Sequence, residues 1–208
     1  MASQGGSRSR LRPDREEQVF AVVLDLLREV GYDAMTVDAV AARSRSSKAT
    51  LYRRWSGKQE LVVAALHARK PLSFTDIDTG SLRADLVETA RRIGRVAAGD
   101  SALMAAMAHA AHTNPELARA HREVVMDPET RAINEMLRRA VERGEIAADE
   151  PAIAFCPHLF LSSVLARPVV EGEHAGVDHL VRFVDAVVLP ALGVPAGETG
   201  PDRGETSQ

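Results

Sequence analysis

Apolar residues recur every three or four positions along nearly the whole chain, and this spacing is the strongest constraint on its fold. It is the period of an α-helix with one buried face. The alternation of apolar and polar residues typical of a half-buried strand is not found, and no internal repeat is visible. With 208 residues, 45% of them hydrophobic, the chain can bury a substantial core. The sequence therefore predicts an all-α protein.

Residues that start or stop helices divide this pattern. Pro13 suits the first position of a helix, and Gly31 suits its end. Thr36 and Ser47 are candidate N-caps of two short helices that follow. Further starts and ends are predicted at Gly57, Ser81, Asp100, Asn114-Pro115-Glu116, Asp127-Pro128-Glu129, Gly144, Asp149 and Ala175.

Composition divides the chain into four segments. We expect a disordered basic arm over residues 1–12 and a disordered tail over residues 195–208. A first helical domain is predicted over residues 13–70 and a second over 71–194. Residues 1–70 carry 13 Lys and Arg against 8 Asp and Glu, whereas residues 71–208 carry 13 against 21. A basic first third suggests that this part of the protein meets a polyanion.

The ends and the cysteine content indicate where the protein acts. No apolar stretch approaches the roughly 20 residues that span a bilayer, so no membrane association is expected. The basic N-terminus lacks the apolar segment of a secretory signal. Cys156 is the only cysteine, which excludes an internal disulfide and fits a reducing compartment. These features predict a cytoplasmic protein.

One short basic segment, RSSKATLYRRWSGK over residues 45–58, carries the main functional signal. It predicts a short helix whose inner face holds Leu51 and Trp55. The opposite face would present polar groups, and the small Ala49 would allow the backbone to approach a surface closely. Two short helices joined by a few residues, after one supporting helix, have the size of a helix-turn-helix. Such a helix suits the major groove of DNA.

These residues resemble the DNA-binding domain of TetR-family transcriptional regulators over roughly residues 14–66. The resemblance lies in Thr36 to Ala41, in Ser47 to Trp55, which follows the family pattern S-K-G-T-L-Y-x-H-F, and in Lys58 to Leu61. Trp55 replaces the usual phenylalanine. The family's turn usually has glycine and then a hydrophobic residue, whereas this chain has Arg45 and Ser46. A left-handed arginine would cost about 1 kcal/mol, so we expect the turn to differ locally.

The resemblance implies contacts with DNA. Family members contact phosphates at the positions of Thr36, Ser47, Thr50, Tyr52 and Lys58. Our candidates for base recognition are Lys48, Ala49 and Arg53, since basic side chains commonly bind guanine. An arm with Arg8, Arg10 and Arg12 would follow the DNA backbone or enter the minor groove, or would be only a solvated tail. An ordinary helical hairpin with a basic face is the alternative for the whole segment.

The resemblance also implies that the second domain binds a small molecule and forms a homodimer. Scarce polar residues favour an apolar or amphipathic ligand. Candidate ligand contacts are Met104, Met107, His109, Met136 and Phe155, although methionines at this spacing are more often core. In the family the last two long helices pair with their copies. Candidate interface residues are Phe160, Leu161, Val164, Leu180, Val184 and Val187, which would otherwise be intramolecular core.

Catalytic and metal sites have little support. His109 and His112 could share one helix face, but no cysteine or acidic cluster completes a zinc site. Cys156 and His158 do not face each other on a helix, so a buried, inert cysteine is expected. No phosphate-binding glycine loop or paired catalytic carboxylates are present. We therefore expect no metal, no cofactor and no enzymatic activity.

The sequence favours a homodimeric, ligand-responsive repressor that leaves a palindromic double-stranded operator when a small molecule binds. One alternative is a DNA-binding regulator of the same architecture without a ligand, controlled by a protein partner. A remote alternative is a helical enzyme or binding module in which the motif is coincidental.

Overall fold

The computed structural model describes residues 13–69 and 72–195, and these residues are helical, without a strand. The α-helices are α1 (Pro13–Ala34), α2 (Val37–Arg43), α3 (Lys48–Arg54), α4 (Lys58–Arg69), α5 (Leu82–Gly99), α6 (Ser101–Thr113), α7 (Pro115–His121), α8 (Asp127–Glu142), α9 (Cys156–Val170), α10 (Val177–Phe183) and α11 (Leu189–Ala191). A π-helical turn (Arg122–Met126) lies between α7 and α8, a second (Val184–Val188) lies between α10 and α11, and a 3₁₀ helix (Pro151–Phe155) precedes α9. The all-α prediction is confirmed.

Three of the predicted helix starts are made by the expected side chains, whereas Glu150 rather than Asp149 caps the 3₁₀ helix before α9. Thr36 and Ser47 each accept a bond from the amide three residues later, at 3.1 Å. Asn114 accepts a bond from the amide of Leu117 at 2.9 Å. Gly31 has φ 74° and ψ 175°, which only glycine adopts readily, and it interrupts α1 where an end was predicted. These boundaries therefore follow from local chemistry.

Asp127 does not cap a new helix, and this prediction was wrong. Its φ of −64° and ψ of −39° are helical, and its amide donates to the carbonyl of Arg122. The chain thus passes through the π-helical turn into α8 without a break. The sequence Asp127-Pro128-Glu129 is tolerated inside a continuous helix. The π-helical turn supplies backbone hydrogen bonds that would be missing at the start of a separate helix.

The described residues form two compact units, one of residues 13–69 and 100–128 and the other of residues 72–99 and 129–195. This division differs from the sequence-based boundary between residues 70 and 71. Asp100 accepts two bonds from Arg28 of α1, at 2.7 and 2.6 Å. Leu103 and Met107 of α6 join the core that α1 forms with α2, α3 and α4. Long-range packing therefore places α6 and α7 in the first unit.

In the second unit, α5 packs closely on α10. A Cβ on Gly94 would lie 2.7 Å from the backbone N and Cα of Val177. Only glycine allows this approach. Asp85 of α5 is fully buried, and its Oδ1 accepts bonds from the amide and hydroxyl of Thr79, at 2.7 and 2.6 Å. These contacts fix the start of α5 and its distance from α10.

One stretch of the second unit is more apolar than the sequence analysis allowed. Pro151–Val170 has a mean hydropathy of 1.5. By its length and composition alone, this segment could cross a membrane. The expectation that no such stretch exists was wrong, because it counted unbroken apolar residues rather than the average over a helix. Only 22% of this segment is buried.

Candidate nucleic-acid interface

Helix α3 has the two faces that its sequence predicts. Leu51 and Trp55 are 1% and 5% exposed, and the indole packs against the ring of Phe20 with their centroids 5.5 Å apart. Ala49 and Arg53 are exposed, and 52% of the surface of Tyr52 is accessible. The inner face anchors the helix in the first unit. The outer face presents a methyl group, a phenol and a guanidinium to solvent.

The three hydroxyl residues of the predicted interface already serve the fold. Thr36 caps α2 with its oxygen, so its O–H hydrogen can be donated to a phosphate. The hydroxyls of Ser47 and Thr50 are 2.7 Å apart, and either can be the donor. One O–H of that pair can therefore be offered to a ligand. Capping and phosphate binding are compatible because a hydroxyl accepts and donates through different sites.

The turn before α3 keeps the left-handed conformation, contrary to our expectation. Arg45 has φ 52°, the sole positive value among the described residues other than glycine. The amide of Ser46 donates to the carbonyl of Ala41 at 2.9 Å, and that of Arg45 to the carbonyl of Ala42 at 3.3 Å. This pair of bonds is a Schellman motif, which satisfies carbonyls at the end of α2. The bonding keeps the turn shape although arginine replaces glycine.

Lys48 is held by a neighbouring acid. Its ammonium lies 2.5 Å from Oδ2 of Asp38 in the first turn of α2, and both side chains are more than half exposed. The predicted base-reading lysine is therefore paired in the free protein. DNA would have to compete with Asp38 for this ammonium. The sequence analysis did not anticipate this pair, which joins residues ten positions apart.

Lys58 points back into its own unit rather than outward. It donates to the carbonyls of Tyr32 at 2.9 Å and Asp33 at 3.3 Å, and its ammonium lies 4.3 Å from the centre of the Tyr32 ring. It thus satisfies carbonyls at the end of α1. Glu60, two positions further on, accepts bonds from the hydroxyl and amide of Ser56, and these bonds lower the pKa of Glu60. The contact of Lys58 with phosphate stays a prediction.

The predicted dimer residues divide into two groups in the second unit. Phe160, Val164, Leu180 and Val184 are at most 6% exposed, so they have almost no surface left to bury against a second chain. For these four the alternative, intramolecular core, describes their packing. Leu161 and Val187 are 42% and 40% exposed. Further exposed apolar residues, which the sequence analysis did not select, are Phe155, Leu165, Val169 and Val170.

The predicted ligand contacts differ in burial and in location. Met107 of the first unit and Met136 of the second are buried. Met104 is half-buried, His109 is exposed and Phe155 is 62% exposed. A cleft of about 390 Å³ lies beside α5, and none of the five predicted residues lines it. Its lining is mostly charged, with Asp76, Asp78, Arg83, Glu88, Arg91 and Arg92.

The other candidate residues have these positions. Cys156 is buried as predicted, and burial raises the pKa of its thiol to about 12, which opposes reactivity. His109 lies 3.9 Å from Asp33 on an exposed surface. Among residues 13–69 and 72–195, no group of three His, Cys, Asp or Glu is arranged to hold a metal ion. Arg8, Arg10 and Arg12 lie outside the described residues.

Two family models match the chain. The model described as bacterial regulatory proteins, tetR family, matches residues 21–65 and includes α2 and α3. The model described as tetracyclin repressor-like, C-terminal domain, matches residues 76–187. The second match alone covers more than half of the chain.

Individual proteins agree with the family models. The DNA-binding transcriptional repressor TetR of Mycobacteroides abscessus is 41% identical over 178 residues, which are 84% of this chain and 92% of that protein. The uncharacterized HTH-type transcriptional regulator Mb1581 of Mycobacterium bovis is 35% identical, over 86% of this chain and 88% of its own length. The crystal structure of the TetR family transcription regulator SCO0332 superimposes with a TM-score of 0.63 at 26% identity, over 87% of this chain and 98% of that one. The chain therefore belongs to the TetR family of bacterial helix-turn-helix transcriptional regulators.

Proposed function

We propose that the protein is a cytoplasmic, homodimeric repressor that binds a palindromic operator and leaves it when a small molecule binds. The observation that carries the DNA part is the outer surface of α3. Ala49, Tyr52 and Arg53 are exposed beside the hydroxyls of Ser47 and Thr50. Lys48 and Arg53 can donate to guanine, while the hydroxyls and Tyr52 donate to phosphates.

A dimer would place two copies of α3 in successive major grooves. These grooves are about 34–36 Å apart on one side of B-DNA, so the spacing between the protomers decides whether both helices fit. A palindromic operator mirrors the two-fold symmetry of such a dimer. The Lys48–Asp38 pair would break as DNA phosphates or bases take over the ammonium.

The exposed side of α9 is our candidate for the dimer interface. Leu161, Leu165 and Val169 are spaced four residues apart and are 42%, 38% and 86% exposed. This spacing sets them on one side of the helix. Only 22% of the residues in the apolar segment Pro151–Val170 are buried within their own chain, which favours a further apolar partner. A second copy of the same stripe would supply one, and the exposed Val187 and Phe155 would extend it.

The same apolar stretch could instead contact a membrane, so the two explanations need a direct test. Sedimentation of the purified protein without detergent should give a dimer. Flotation with vesicles of neutral and anionic lipids should leave the protein in the aqueous fraction. A monomer that moves with the vesicles would contradict the proposed interface.

The proposed direction of control is repression with release by a ligand. The relative from Mycobacteroides abscessus is named a repressor, which favours the same direction of control here. Induction would follow if the ligand prefers a protomer spacing that no longer matches the grooves. Only this difference in affinity matters, because equal binding to both states would shift nothing. The ligand contacts proposed from the sequence remain Met104, Met107, His109, Met136 and Phe155.

The DNA proposal is tested by selecting bound sequences from a random duplex pool with the purified protein. Near-physiological salt is required because phosphate binding alone dominates at low salt. We expect a palindrome whose half-site spacing matches successive grooves. Lys48→Ala and Tyr52→Ala should each weaken binding to it by about tenfold or more. Arg131→Ala is the matched control, since Arg131 is an exposed arginine of α8.

Two other results of this selection would contradict the DNA proposal. Enrichment of a sequence that Tyr52→Ala recovers equally well would place recognition elsewhere on the protein. No enrichment by the wild-type protein would contradict unassisted operator binding. Once an operator is known, thermal shifts across a broad compound library test for a ligand, because a ligand of the native state raises its stability. A compound that stabilises the protein should also release the operator.

A further inference from the structure

The turn before α3 combines strain with a specific support. Arg45 adopts φ 52°, a conformation that disfavours residues with a Cβ. The carbonyl of Arg45 accepts a bond from Nη2 of Arg15, at 3.0 Å. These two residues are thirty positions apart, so the bond joins the first turn of α1 to the turn of the helix-turn-helix.

The guanidinium of Arg15 is itself oriented by α1. Its Nη1 donates to the side chain of Gln18 at 3.1 Å. Two bonds at different nitrogens fix the plane of a guanidinium more firmly than one does. Arg15 is therefore arranged to hold the Arg45 carbonyl rather than to extend freely into solvent.

A second contact joins the same turn of α1 to the other end of α3. Glu16 accepts a bond from Nη2 of Arg54 at 3.2 Å, and the Arg54 guanidinium lies 5.9 Å from the Trp55 ring centre. Arg15 thus contacts the turn before α3, and Glu16 contacts Arg54, the last residue of α3. One turn of α1 therefore contacts both the turn before α3 and the end of α3.

We propose that Arg15 is a positioning residue for DNA binding: it holds the left-handed turn at Arg45 and so fixes how α3 is presented. This inference rests on the proposed DNA-binding function. A left-handed arginine brings other conformations of the turn closer in energy. The bond from Arg15 favours the conformation in which the Schellman bonds form. Apparent affinity falls in proportion to the fraction of protein in the competent conformation.

The first test is the affinity of Arg15→Gln for the selected operator at several salt concentrations. Loss of one charge-assisted bond should weaken binding by about threefold per protomer, hence by about tenfold for a dimer on two half-sites. The slope of log affinity against log salt should not change, because Arg15 touches no phosphate in this proposal. A slope smaller by about one per protomer would show direct phosphate contact and overturn it.

The second test removes the strain that Arg15 is proposed to offset. Arg45→Gly keeps the backbone carbonyl but accepts the left-handed conformation readily. In this background Arg15→Gln should change operator affinity by less than about twofold. An equal loss in both backgrounds would contradict the proposal. Arg15→Lys should retain most of the affinity, since an ammonium can also donate to the carbonyl.

A third readout does not depend on DNA. Hydrogen exchange at the amides of Arg45 and Ser46 reports the Schellman bonds directly. It should accelerate in Arg15→Gln and remain unchanged in Arg119→Gln, which removes an exposed arginine from α7 of the same unit. Unchanged exchange in Arg15→Gln would overturn the positioning role. If the wild-type protein selects no operator while exchange accelerates as expected, the function fails and the role of Arg15 in the turn stands.

Discussion

The outer surfaces of α3 and α9 show two ways in which a helix is made ready for a partner. On α3 and its flank, polar residues that face solvent also make contacts within the fold: Ser47 caps the helix, and Lys48 pairs with Asp38 of α2. On α9 the exposed stripe of Leu161, Leu165 and Val169 is apolar and has no such second role. The first surface can exist alone in water, whereas the second gains stability only when it is covered.

This difference governs what can be inferred from each sequence pattern. Helix caps act within about one turn of the chain, so the sequence alone can predict them. Helix α9 instead carries two apolar stripes, one buried with Phe160 and Val164 and one exposed with Leu161 and Leu165. A helical pattern identifies apolar positions but does not tell an inward stripe from an outward one.

The largest predicted effect concerns the stripe on α9. Replacing both Leu161 and Leu165 by glutamate should raise the dimer dissociation constant by about a thousandfold, because it removes apolar burial and buries like charges. Analytical ultracentrifugation measures this change. Asn134→Glu, on an exposed position of α8, is the control for added charge. A double variant that remains dimeric would contradict the proposal that the exposed stripe on α9 forms the dimer interface.

A smaller effect is expected inside the second unit. Gly94→Ala should destabilise it by about 3 kcal/mol, because the new methyl group meets the backbone of Val177 and backbone does not yield easily. Gly99→Ala at the end of α5 is the control, since nothing lies within 4 Å of its Cβ position. Thermal unfolding followed by circular dichroism measures both variants. Equal stability of the two would mean that α5 and α10 do not pack this closely.

The turn before α3 should respond in the opposite direction. Arg45→Gly is expected to stabilise the first unit by about 0.5–1 kcal/mol, because glycine adopts φ near 52° without a Cβ penalty. Part of the gain is offset by the greater freedom of glycine in the unfolded chain. Urea unfolding monitored by the fluorescence of Trp55 provides the measurement. A loss of stability would show that the arginine side chain contributes more than its strain.

The smallest effect is expected at Ser44, and Ser47, three positions later, provides the comparison. The Oγ of Ser44 is buried and has no hydrogen-bond partner among the described residues. Ser44→Ala should therefore change stability by less than about 0.5 kcal/mol, in the stabilising direction if at all. Ser47→Ala should destabilise by about 1 kcal/mol, because that hydroxyl caps α3. Urea midpoints that reverse this order would contradict the local account of the interface.

Much of the first unit was predictable residue by residue. Thr36, Ser47 and Gly31 act within one turn of themselves, so their signals needed no tertiary information. The pairs Arg15–Arg45 and Lys48–Asp38 were not predicted, because they join residues thirty and ten positions apart. The helix start predicted at Asp127 was wrong. A capping residue followed by a proline and an acid is typical of a helix start, but here a π-helical turn continues the helix through it.

By itself the sequence determined the all-α class, most helix limits and the two faces of α3, because each depends on bonding or periodicity within a few residues. Tertiary structure alone decided that α6 joins the first unit, that Gly94 meets Val177, and that Leu161 rather than Phe160 is exposed on α9. These outcomes depend on which distant helices cover a given surface. Burial depends on how distant segments pack together, whereas capping and helical period depend only on residues close together in the sequence.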